Sequence, residues 1–120
     1  MAKDDMPVLF CKILVHLYKV LKGKQEQDKY YIQPFTKDFP ISEDYLQTVL
    51  IELQEKGYIR NLDYKVAFGV DVVYFNYNNI EITYDGVEFL RENSTMRKIA
   101  QTLKEAQTLK EAILIIELFN

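Results

Sequence analysis

Cys11 and His16 are the single cysteine and the single histidine of the chain, so any nucleophile-and-base chemistry built on these types rests on them. They lie five residues apart in a segment of helical periodicity, about 500° of helix or 140° net, and so point to different faces. They form no local Cys/His pair. One residue of each type also leaves no zinc spacing of the paired Cys-x-x-Cys or His-Glu-x-x-His kind. His16 is expected on the surface. The glycines, Gly23, Gly57, Gly69 and Gly86, stand singly at element boundaries and do not gather into a loop that cradles phosphate. The residues therefore predict a protein that is not an enzyme, with no metal and no cofactor. Asn93-Ser94-Thr95 fits a glycosylation acceptor, but it reads better as one helix end followed by the Ser94 cap of the next.

A different chemistry is available to Gln47 and Thr48, whose amide and hydroxyl can read base edges from a helix laid in a major groove. Such a helix would present Asp44, Gln47, Thr48, Ile51 and Glu55 outward. Phosphate docking, however, needs lysine or arginine to displace counterions. Residues 42–93 carry four bases against ten acids, whereas residues 1–41 carry seven lysines against five acids and residues 94–120 four bases against three. The segment holding the candidate reading helix is thus the most negative part of the chain, opposite in sign to a nucleic-acid footprint. Weak DNA binding and binding of another protein both stay open. A second basic surface, made of Lys12, Lys19, Lys22, Lys24 and Lys29, reads as an ordinary solvated helix face.

These residues sit in a chain of 120 residues, of which 48% are hydrophobic and 28% charged, a globular balance with room for one core. A lone cysteine cannot form an intramolecular disulfide, and the N-terminus lacks the order of a signal peptide, so a reducing cytoplasm is expected. The apolar stretches at 8–21 and 113–119 are too short or too interrupted to span a bilayer, and no membrane partner is expected.

The elements that must position Gln47 and Thr48 follow from caps and periodicity. Asp4 or Asp5, with Pro7 in the first turn, opens a helix from about Met6 to Lys22 that Gly23 ends. Phe10, Ile13, Leu14, Leu17 and Leu21 form its core stripe, with Lys12 and Lys19 pointing away. Residues 24–40 are ambiguous, with one helical turn at Pro34 to Phe39. Ser42 caps a helix to about Lys56, with Tyr45, Leu46, Val49, Leu50 and Leu53 on one face and Gly57 at its end. From Tyr58, β-branched and aromatic residues broken by turn formers predict a small antiparallel sheet ending at Ile80 and Ile82. Tyr64, Phe68, Tyr74, Phe75 and Tyr77 belong to it, about half in the core and the rest a candidate aromatic patch. Thr83 caps a helix bearing Val87, Phe89 and Leu90, with Gly86 allowing close approach.

Helix, turn, capped helix, hairpin and helix is the order of a winged helix-turn-helix, so the predicted class is α+β with an antiparallel hairpin wing and an extra C-terminal helix. Ile41 to Tyr45, Leu53 to Ile59, and Ile82 to Asn93 followed by Thr95 to Lys98 also resemble the YjcQ-like family. This resemblance implies a small winged-helix protein of Gram-positive bacteria and their phages or prophages, in a family whose members remain functionally uncharacterised. The expected organisation is a winged-helix domain at 1–93 and a helical extension at 94–120. Its function is either DNA-binding and transcription-regulator-like, or that of a protein-interaction adaptor with an acidic surface.

The extension repeats Gln-Thr-Leu-Lys-Glu-Ala at 101–106 and 107–112. Six residues turn a helix by about 600°, which separates Leu103 from Leu109 by roughly 120° and argues against a long coiled coil. Beyond the repeat, Ile113, Leu114, Ile116, Leu118 and Phe119 make a wide apolar load, and the helix is expected to form a homodimer interface there or to dock across the domain, not to stand free in solvent.

Overall fold

The computed structural model describes residues 2–23, 31–69 and 71–105, the side chains of 104 and 105 excepted. Its class is α+β. The order is α1 (Met6–Leu21), α2 (Glu43–Glu55), β1 (Ile59–Arg60), β2 (Asp63–Ala67), β3 (Asp71–Asn76), β4 (Glu81–Ile82), α3 (Tyr84–Glu92) and α4 (Ser94–Glu105). β2 and β3 form an antiparallel hairpin with a register irregularity between Lys65 and Val66, and β1 pairs antiparallel with β4 as a short bracket at its base. The predicted single sheet is thus two ladders. This arrangement is compatible with a winged helix.

Helix α1 is the centre of the core. Every residue from Val8 to Leu17 is buried, because α2, α3, α4 and β4 all pack around it. Two expectations fail at this helix. Lys12, His16 and Lys19, spaced i, i+4 and i+7, form one buried stripe and no solvated face. The segment from Tyr31 to Ile41 covers part of that stripe: the His16 ring stacks on Tyr31 at 4.4 Å between centroids, and the Lys12 ammonium donates to the Asp38 carbonyl at 2.7 Å. A helical wheel registers only the polarity of these residues and cannot see a covering segment contributed by distant sequence. Lys22 is exposed, and Lys24 and Lys29 lie outside the described residues.

That covering segment is itself a correction, since Pro34 to Phe39 makes turns and bends, not a helical turn. Phe35 takes a positive φ of 59°, and its amide donates to the Ile41 carbonyl, which folds the segment back on itself. Thr36 closes the inside of the loop by accepting from the Phe39 amide at 3.1 Å. Phe39 and Ile41 can then enter the core as buried anchors.

The caps position the remaining helices. Ser42 Oγ accepts from the Tyr45 amide, and Thr83 Oγ1 accepts from the Gly86 amide while donating to the Gly57 carbonyl, which ties α3 to the end of α2. At α4 the capping oxygen is Asn93 Oδ1, bonded by the Met96 amide, and Ser94 is the first helical residue and not the cap. Met96, Ile99, Ala100 and Leu103 of α4 are buried in the same core as α1, so the first turns of the C-terminal extension complete that core. Ile113, Leu114, Ile116, Leu118 and Phe119 lie outside the described residues. Among the described residues no helix is long and apolar enough to cross a membrane.

Candidate functional site

Helix α2 buries Leu46, Val49, Leu50 and Leu53, and this fixes which side of the helix faces out. The outward side carries Glu43, Gln47 and Ile51 at four-residue spacing, with Asp44 and Thr48 beside them. The β2–β3 hairpin then walls this side with Asp71 and Val72 of β3, making a groove of about 450 Å³. Gln54 braces the junction between helix and hairpin: its Nε2 donates to the Leu62 carbonyl at 3.1 Å and its Oε1 accepts from the Leu62 amide at 2.8 Å. The sequence-predicted pair Gln47 and Thr48 is therefore brought together in one groove. Asp71 and Val72 were not foreseen, since nothing local to β3 indicates that its outer residues face α2.

The polar atoms of the groove are mostly acceptors. Glu43, Asp44 and Asp71 contribute carboxylates, and among the described residues no cation lines the groove. The Thr48 hydroxyl donates to the Asp44 carbonyl at 3.0 Å, which leaves its lone pairs for an incoming donor. Among the described side chains that line the groove, the Gln47 amide is the one that offers hydrogens outward. The nearby Tyr77 hydroxyl is pushed up, first by burial and then by the negative charge of Glu43. Arg60, at the hairpin base, makes an exposed ion pair with Glu81 at 3.6 Å and is not part of the groove lining. Such a surface matches ammonium or guanidinium groups and repels phosphate.

The aromatic residues of the hairpin divide as their alternation implies. Tyr64, Phe75 and Tyr77 pack against the core, whereas Phe68 is fully exposed and Tyr74 45% exposed. A smaller cavity of about 230 Å³ between α3 and α4 is lined by Arg91 and Arg97 but also by Glu88 and Glu92, which neutralise it. Cys11 faces the Met96 carbonyl while His16 faces Tyr31, so α1 turns the two toward different elements. Burial pushes the Cys11 thiol up to about 12, with Lys12 acting in the opposite direction, and it stays protonated. Among the described residues no three His, Cys, Asp or Glu side chains gather to hold a metal ion.

Comparison with curated proteins and with solved structures finds no match. The family model described as YjcQ protein does match, over residues 11–109, which include α1 from Cys11, the groove, the hairpin and α4. The chain belongs to the YjcQ protein family.

Proposed function

We propose that the chain is a winged helix that works as a non-enzymatic, cytoplasmic interaction module, and that the groove between α2 and the β2–β3 hairpin receives a cationic protein segment. In this reading α2 stands where a DNA-binding winged helix carries its recognition helix, β2–β3 is the wing, and residues 94–120 are a C-terminal extension. The observation that carries it is the set of three carboxylates, Glu43, Asp44 and Asp71, that line one groove with Gln47 and Thr48, with no cation among the described lining residues. Each phosphate contact to duplex DNA needs a cation to displace counterions. A lysine or arginine side chain, by contrast, finds its acceptors already placed.

A second reading, weak DNA binding of a transcription-regulator type, is favoured by the Gln47 amide, an outward donor at a position from which base edges are read. Fluorescence anisotropy with labelled random and genomic duplexes, at low and at physiological salt, separates the two. The adaptor reading expects no saturable duplex binding at physiological salt. Tight, sequence-selective binding there overturns it.

A further inference from the structure

We propose that the β2–β3 hairpin is a hinged arm that swings as one body over α2, latched by Gln54 and kept from closing by like charges on the two sides of the groove. The sheet is interrupted where such an arm must pivot. β1 ends at Arg60 and β2 starts at Asp63, while β3 ends at Asn76 and β4 starts at Glu81, and among the described residues no ladder joins the bracket to the hairpin. Asn61, in the shorter connector, takes a positive φ of 71° at an element-terminal position of the kind that absorbs a hinge rotation. Ile59, Leu62, Ile80 and Ile82 are buried around this break and fix it to the core. Beyond it the arm is loosely held. No described residue from Asp63 to Asn76 is buried, and the arm meets the core through the half-buried cross-strand pair Tyr64 and Phe75, next to its base. Segments with few buried apolar contacts move at the smallest cost.

The two hydrogen bonds from Gln54 to the Leu62 backbone tie the last residue before the arm to α2, which makes Gln54 the latch. Asn61 Nδ2 donates to Glu81 Oε1 at 2.8 Å, so the bracket stays closed while the arm turns. Asp71 rides on the arm, whereas Glu43 and Asp44 belong to α2, and all three line the same groove. Their repulsion opposes the approach of the arm, and a cationic side chain seated between them removes it. The arm is therefore loose over an empty groove and drawn in over a filled one. This trigger rests on the groove reading given above, and the hinge stands without it.

Amide residual dipolar couplings of the isotopically labelled full chain, fitted separately for the hairpin and for the helices, test the hinge. The hairpin couplings are expected to fit one alignment of their own, weaker than that of the helices. Gln54→Ala should weaken it further and Asp71→Asn should strengthen it, while the helix couplings in the same spectra show that each variant is folded. One common alignment for hairpin and helices in the parent overturns the proposal. Hairpin couplings that fit no single alignment, or that either variant leaves unchanged, overturn it too. Hexalysine added to the parent is expected to shift the Gln47 and Thr48 amide resonances and to bring the hairpin alignment toward that of the helices. Hexalysine that changes neither, with both variants behaving as expected, removes the groove reading alone. Hexalysine that shifts those resonances in a chain whose hairpin and helices already share one alignment removes the hinge alone.

Discussion

Gly86 in the first turn of α3 lies so close to Tyr58 that a Cβ at this position would overlap the Tyr58 carbonyl oxygen, with the Ile82 side chain also within 2.8 Å. That oxygen is held in place, since it accepts from the Thr83 amide at 3.0 Å. The contact joins the end of α2 to the start of α3, and the stacked rings of Tyr58 and Phe89, 4.3 Å apart, continue it. The hairpin is inserted between these two points, so this packing sets where it can stand relative to α2.

Gly86→Ala is expected to destabilise the chain by about 1–3 kcal/mol through overpacking against backbone that cannot yield. Thermal unfolding followed by circular dichroism checks it. An unchanged or raised Tm would contradict the close approach.

Gln54→Ala removes both hydrogen bonds to the Leu62 backbone and leaves a buried amide and carbonyl without them, at a cost of about 1–3 kcal/mol. Hydrogen exchange at the Leu62 amide should accelerate by more than the loss of global stability accounts for. Exchange that follows global stability alone would deny the brace.

Burial holds the Lys12 ammonium below its ordinary 10.5, with the Asp38 charge acting the other way. The unfolded chain therefore binds this proton more tightly. Between the lowered folded value and 10.5 stability rises with pH, and below that window the contribution is flat. The Tm of the parent chain minus that of Lys12→Met is expected to grow as pH climbs toward 10.5. A difference that is constant or falls with pH would contradict the buried ammonium.

With its pKa raised from 9.0 to about 12, the Cys11 thiol is almost wholly protonated at pH 8. Its reaction with an aromatic disulfide reagent should be slower by roughly a thousandfold in the native chain than in denaturant. Comparable rates in the two states would place Cys11 outside the core.

Local signals carried much of this architecture. The Ser42 and Thr83 caps, the Gly57 helix end and the three- and four-residue apolar spacing of α2 each depend on neighbours in sequence, and the structure has them where those neighbours imply. The hairpin followed in the same way from β-branched and aromatic runs broken at Asn61 and Gly69. What stayed hidden depends on distant contacts. The burial of Lys12, His16 and Lys19 requires a covering segment, which Tyr31 and Asp38 help to supply from more than ten residues away. The positive φ of Phe35 has no signal in an aromatic residue. Half of the groove was legible, because Asp44, Gln47 and Thr48 lie opposite the buried stripe of α2. Asp71 and Val72 join them only through the path of β3.

In the proposed reading, the carboxylates make the α2 groove a site for cations and not for duplex DNA. Side-by-side anisotropy titrations of the parent chain and Asp44→Lys/Asp71→Lys with one labelled random duplex, at physiological salt, test it most directly. The parent is expected to show no saturable binding, and the variant to show binding that weakens steeply as salt rises. Saturable, sequence-selective binding by the parent that Gln47→Ala abolishes would contradict it.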